Sequence, residues 1–135
     1  RMQNPHVIDI RLDWSEVDSF QHVNNVAYFK YAQSARVALC DSVGIAVDAA
    51  STKPGFLVAK SECEFLSPLN YPGVIQVRSV VTKLGTTSIG ISHEIFEENG
   101  QCSAKLKDVI VLYDFHSKRK VAISDELRNQ LLNIA

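Results

Sequence analysis

Cysteine is scarce in this chain. Cys40, Cys63 and Cys102 are the whole complement, odd in number and without a C-x-x-C pair. That pattern argues against a disulfide framework and for free thiols in a reducing compartment. Excess charge of one sign is missing too. Fourteen Lys and Arg against fifteen Asp and Glu leave a formal charge of -1, so the basic surplus that would draw a nucleic acid or an anionic membrane is absent. No apolar run approaches the roughly 18 residues of a membrane span, and "RMQNPHVIDIRLDW" carries no signal-peptide core. A soluble cytoplasmic protein is expected, with Arg1, ahead of Met2, set aside. The His and Cys residues show no metal-ligand spacing, so no metal site is predicted. G-x-S-x-G, P-loop and G-x-G-x-x-G motifs are also lacking, which leaves serine hydrolases and nucleotide enzymes without local support.

What is present is ordinary globular material: 46% apolar and 21% charged residues over 135 positions. That is enough for one domain, residues 1–135, with a core that needs neither disulfide nor metal. Val7 to Leu12 alternates like a short strand. Tyr28, Ala32, Ala35, Leu39 and Val43 form an apolar stripe at helical spacing, which predicts a helix from Asn25 to Val43 stopped by Gly44. From Phe56 the period changes from 3.6 to 2. "FLVAKSECEFL", "VIQVRSVVTKL", "TTSIGISHEIFEE" and "SAKLKDVIVLYDF" read as long strands, punctuated by Pro68 to Gly73, Gly85 and the hairpin pair Asn99-Gly100. "SDELRNQLLNIA" reads as a short closing helix with Ser124 as N-cap. Because no helix separates the later strands, the sheet should be antiparallel and the class α+β. A helix of about 19 residues is about 28 Å long, and strands of about 10 residues can wrap it along its whole length. Five strands are wider than one helix, so apolar sheet is left over and at least a dimer is expected.

The stretch "VDSFQHVNNVAYFKYAQSAR" (Val17 to Arg36) crowds Asp18, His22, Asn24 and Asn25 against the start of that helix. Asn and Asp are poor helix formers, and capping by Asn24 accounts for only one of the four. A helix N-terminus presents free N–H groups and the positive end of a dipole, which stabilise charge developing on an oxygen. An Asp held beside it can serve as base or nucleophile. Those are the requirements of acyl transfer.

The pattern D-x-x-x-H-V-N-N-x-x-Y before a long helix carrying "AR" resembles the 4-hydroxybenzoyl-CoA thioesterase-like acyl-CoA thioesterases of the hotdog fold. The likeness extends through "FLVAKSECEFLSPLNYPGVIQVRSVVTKLGTTSIGISHEIF", with its K-L-G-x-x-S turn, to "ISDELRNQL". It implies a long central helix wrapped by a five-stranded antiparallel sheet, a short C-terminal helix, and a dimer as the working unit, with a tetramer as the larger option. It implies hydrolysis of an acyl-CoA to a carboxylic acid and CoA, with CoA entering as part of the substrate and no separate cofactor. By the same resemblance Asp18 is the carboxylate, the backbone N–H of Asn25 polarises the thioester carbonyl, and His22 and Asn24 orient the site. The CoA would lie between subunits near Lys83, Thr86, Thr87 and Ser88. Three positions depart from the family pattern: Gln33 and Ser34 stand where many members carry acidic residues, and Thr86 where many carry a basic one.

Tyr28 and Tyr31 are candidate walls of an apolar acyl slot. Glu16, two residues before Asp18, reads as a solvated carboxylate. His93, alternating with Ile89, Ile91 and Ile95, reads as a core or interface histidine, and "HSKRK" (His116 to Lys120) as a solvated turn. Nothing near Cys63 predicts a reactive thiol. Two other readings compete with acyl-CoA hydrolysis: an acyl-carrier-protein thioesterase and a non-catalytic subunit that binds acyl thioesters.

Overall fold

The computed structural model describes residues 2–135. Strand β1 (His6–Arg11) and a short 3-10 turn (Trp14–Glu16) lead to helix α1 (Asn25–Ser42). Four long strands follow: β2 (Gly55–Phe65), β3 (Val74–Leu84), β4 (Ser88–Phe96) and β5 (Cys102–Asp114). A two-residue strand β6 (Arg119–Lys120) and helix α2 (Asp125–Leu132) complete the chain. The sheet is antiparallel throughout, in the order β1-β3-β4-β5-β2, with β6 hairpinned onto the end of β5. This is the hotdog arrangement, with one strand more than the alternation predicts. The extra strand lies in the basic run after Phe115, where no apolar period could announce it.

Helix α1 begins and ends for local reasons. Asn24 caps it, its side chain accepting the Val26 N–H. At the other end Gly44 takes φ of 81°, and the N–H groups of Ile45 and Gly44 return to the carbonyls of Cys40 and Asp41. That pair of bonds is a Schellman stop, which needs a residue free to adopt the left-handed conformation. Ala27, Tyr28, Tyr31, Ala32, Ala35, Arg36, Leu39 and Cys40 form its buried face. The small alanines in the middle let the sheet approach closely. One extra residue at Ala59 in β2 and another at Thr82 in β3 shift the strand register, and such bulges bend a sheet enough to curl it round a helix.

The core has two parts. Near the start of α1, Tyr28, Tyr31, Ala32 and Ala35 pack with Ile75, Val77, Ile95, Ala104 and Leu106. Near its end, Leu39, Cys40 and Ile45 pack with Ile89, Ile91, Ile110 and Leu112 and with Leu131 of α2. Between them each element contributes a polar residue: Arg36, Ser79, His93 and Asp108, all buried. Among the described residues strand β2 pairs only with β5, which leaves its other edge unpaired. Leu57, Val58 and Phe65 are exposed on it. No helix of the described residues is long and apolar enough to cross a membrane.

Candidate active site

Residues Glu16 to Asn24 form a miniature hairpin. Asn24 N–H donates to the Glu16 carbonyl (2.7 Å), Asp18 N–H donates to the His22 carbonyl (2.8 Å), and Val17 bridges to Val23. At the tip, Gln21 sits at φ of 69°. The Asp18 Oδ1 atom accepts the N–H groups of Phe20 (2.8 Å) and His22 (3.3 Å), an Asx-type turn that explains why Asp suits this position. Its Oδ2 has no partner among the described residues.

The hairpin's second arm runs directly into α1. Of the first N–H groups there, that of Asn24 goes to Glu16, that of Val26 to the Asn24 side chain and that of Ala27 to the Asn24 carbonyl. The Asn25 N–H is left without a partner among the described residues. An unpaired N–H at the positive end of an 18-residue helix is suited to a polarised carbonyl oxygen. Asp18 is half-buried, while His22, Asn24 and Asn25 are exposed, so the arrangement is an open surface on a single chain. Chemically it offers a carboxylate oxygen and a hydrogen-bond donor near one another in the chain, with the exposed apolar side chains of Phe20, Val26 and Phe29 around them.

Other predicted residues lie elsewhere. Tyr28 is buried; its hydroxyl accepts the Leu69 N–H (3.1 Å) and donates to the Ser67 carbonyl, and its ring meets Phe65 edge-on at 5.1 Å. Lys83 is exposed on β3, Thr86 and Thr87 lie in the following turn, and Ser88 opens β4. The Gly85 carbonyl there accepts from Arg128 of α2, and the Thr86 and Thr87 carbonyls accept from Ile123 and Leu112. A Cβ on Gly85 would come 2.5 Å from Ser88 Oγ, so the turn is closed to any other residue without movement. Leu84 and Ile89, which flank it, pack with Leu39 and Cys40. The turn therefore belongs to the far end of α1, and one chain does not bring it to Asp18.

Glu16 differs from expectation. Its side chain is only 9% exposed and accepts from Tyr31 Oη (2.7 Å), Lys30 Nζ (3.1 Å) and the Asp13 N–H (3.2 Å). Burial alone would raise its pKa, but the hydrogen bonds from Tyr31 and Lys30 outweigh that and hold it below the usual carboxylate range. Tyr31, pushed up chiefly by burial, remains a neutral donor. The sequence spacing concealed this contact because Tyr31 meets Glu16 only once the hairpin has folded back.

His93 is the buried, satisfied histidine that its apolar strand face predicted, but the partners it meets were not foreseen. Asp108 accepts from Arg36 Nη1 (2.9 Å), His93 Nε2 (2.7 Å) and Ser61 Oγ (2.7 Å), and His93 Nδ1 lies 2.6 Å from Ser79 Oγ. Burial works to raise the Asp108 pKa, but its three donors hold it lowered. A signal was available: Asp108 alternates with Leu106 and Ile110, and Arg36 follows Ala35 on the helix stripe. This Ser–His–Asp chain has hydrolase-like distances, but Ser79 and His93 are 0% exposed and Asp108 1%, so no substrate reaches it. The thiols are not poised as nucleophiles either, since burial raises Cys63 to about 11 and Cys40 to about 12. Among the described residues no three His, Cys, Asp or Glu side chains gather as a metal site.

Residues 12–131 match the family model of the thioesterase-like superfamily. The chain is 26% identical over 134 residues, 98% of its length and 70% of the other, to an acyl-acyl carrier protein thioesterase, the chloroplastic ATL3 of Arabidopsis thaliana. Among solved structures, the PA5185 protein of Pseudomonas aeruginosa strain PAO1 superposes with a TM-score of 0.85 at 29% identity, covering 96% of this chain and 90% of that one. The SAV2348 protein of Staphylococcus aureus, solved in complex with CoA, superposes with a TM-score of 0.88 at 12% identity over 99% and 85% of the two chains, a likeness of fold. With a match over nearly its whole length, the chain belongs to the thioesterase-like superfamily, and thioester hydrolysis is its class of chemistry.

Proposed function

We propose that the protein hydrolyses acyl-CoA thioesters, with Asp18 as base or nucleophile and the Asn25 N–H as electrophile. The observation that carries this reading is the pairing, on one hairpin and helix start, of a carboxylate with a free oxygen and the unpartnered N–H of the first turn. The thioester carbonyl accepts from Asn25 N–H, which stabilises the oxyanion that forms. Asp18 either takes a proton from water as it attacks, with loss of the CoA thiolate giving the acid directly, or attacks the carbonyl itself. In the second case loss of the thiolate leaves a mixed anhydride that water hydrolyses to the acid and free Asp18. The C–S bond breaks in both cases and the thiolate is protonated. A thiolate departs readily, so one carboxylate suffices where Gln33 and Ser34 supply no second.

The open site and the unpaired β2 edge support a homodimer as the working unit. An 11-residue edge strand carrying Leu57, Val58 and Phe65 is self-complementary in antiparallel pairing across a two-fold axis. A second copy would also present a wall and a Lys83–Ser88 turn that a lone chain keeps at the far end of α1. The CoA complex of SAV2348 agrees with the CoA reading; the name of the Arabidopsis relative favours acyl carrier protein as an alternative carrier of the acyl group.

Thiol release from short, long and aromatic acyl-CoAs, and from acyl-carrier-protein substrates, separates the two. Asp18→Asn should lower the rate on the preferred substrate by about 100-fold or more while leaving the melting temperature near that of wild type. Equal rates in both proteins would sink the mechanism. Turnover only on carrier-protein substrates would reassign the substrate.

A further inference from the structure

A carboxylate two residues from Asp18 would ordinarily be left to water, yet both oxygens of Glu16 are committed. Oε1 accepts from Tyr31 Oη and the Asp13 N–H, and Oε2 from Lys30 Nζ. Its main-chain carbonyl accepts the N–H of Asn24, the helix cap. Glu16 thus touches the arm that leads to Asp18, the arm that leads to Asn25, and the second turn of α1.

The anchor it uses is rigid. Tyr31 is 2% exposed and packs against Tyr28, ring centres 6.4 Å apart. The Tyr28 hydroxyl accepts the Leu69 N–H, and the Leu69 carbonyl accepts the N–H of Val23 on the hairpin's second arm. Both arms are therefore tied to the same buried pair of tyrosines, the first only through the Glu16 carboxylate. Beyond it the tip of the hairpin is exposed: Phe20 is 79% accessible and Gln21 is in the left-handed region. Without Glu16 the first arm would keep its pairing to the second but lose its hold on the helix.

We infer that Glu16 is a positioning residue for thioester hydrolysis: held by Tyr31, it sets the hairpin that carries Asp18 against the helix whose first N–H meets the substrate carbonyl. This rests on the role proposed above for Asp18. Glu16 itself does not meet the substrate, because its oxygens are occupied and its side chain is largely covered.

The test compares wild type, Glu16→Ala, Glu16→Gln, Tyr31→Phe, Asp18→Asn and the double variant Glu16→Ala/Asp18→Asn, with kcat, KM and melting temperature measured for each. A displacement of ~1 Å in a reacting group can cost on the order of 100-fold, so Glu16→Ala should lower kcat by about tenfold or more with KM changed by less than about threefold. Glu16→Gln should recover most of that rate, since its amide oxygen can still accept from Tyr31 and Asp13 and only the exposed Lys30 contact is lost. Tyr31→Phe should fall between. In the Asp18→Asn background, Glu16→Ala should have almost no further effect, because no carboxylate remains to be placed.

An equal loss in both backgrounds would show a general structural role and overturn the inference. So would Glu16→Gln falling as far as Glu16→Ala, which would make the charge itself the active feature, or Glu16→Ala retaining the wild-type kcat. Should Glu16→Ala not fold, the cycle of Tyr31→Phe with Asp18→Asn and the rate of Glu16→Gln decide between the same two outcomes. Full activity in Asp18→Asn would remove the proposed mechanism and this inference together; loss there with none in the Glu16 and Tyr31 variants would remove this inference alone.

Discussion

Asp18 and Asp108 are two carboxylates with opposite surroundings. Asp108 is held by an arginine, a histidine and a serine, and the histidine goes on to a second serine, at distances an enzymologist would recognise. Asp18 caps a small turn with one oxygen and leaves the other without a partner among the described residues. By hydrogen bonds alone the first looks like the active centre, yet it is sealed in the core, while the second is half-buried and keeps that oxygen unpaired among the described residues. Access and unspent bonding capacity identify a reactive group better than the number of partners does. A fully satisfied carboxylate has nothing left to give a substrate, and its partners are there to offset the cost of burying it.

That contrast makes unequal predictions for stability. The largest effect is expected at Asp108→Ala, which leaves Arg36 as an unpaired buried charge and should cost about 3–5 kcal/mol in chemical denaturation, while hydrolysis per folded molecule changes little. Replacing the pair together, Arg36→Met with Asp108→Leu, should restore the part of that loss due to the stranded charge, while His93 Nε2 and Ser61 Oγ still lack their acceptor. A double variant as unstable as the single one would show that the network matters for more than neutralising charge.

Acid sharpens the comparison further. Because Asp108 titrates below its ordinary value of 3.8, its contribution is complete above that value and is lost as pH falls through the lower folded pKa. Melting temperatures of wild type and Asp108→Asn, followed from neutral pH downward, should converge at the acid end, and a constant gap would refute the linkage. The smallest effect is expected at Asn24→Ala, which removes the helix cap and should cost about 1 kcal/mol, read from urea midpoints; Asn24→Ser should recover it.

Much of this was legible in the sequence, for identifiable reasons. The helix and the four long strands follow from their apolar periods, and the predicted helix end differs from the observed one by a single residue, Val43 serving as the cap. Strand β6 was not legible because two residues, Arg119 and Lys120, carry no period. The spacing of Asp18, His22, Asn24 and Asn25 marked the helix start, but it could not show that the Asn25 N–H is the one left unpaired, since that depends on where Glu16 and Asn24 spend their bonds. Glu16 reads as solvated in the sequence because its partner Tyr31 is fifteen positions away and meets it only after the hairpin closes. Arg36 and Asp108 did leave a trace, each a charge out of place in an apolar row.

The polar layer through the core has a consequence for how such a chain can diversify. Arg36, Ser79, His93 and Asp108 divide the interior into two compartments that share few apolar neighbours. Changes of volume near Tyr28 and Phe65 are absorbed on their own side, leaving the packing of Leu39, Ile91 and Leu131 undisturbed, and substitutions in different compartments should combine additively. The layer works as a bulkhead. One end of the protein can be recut while the other keeps the chain folded.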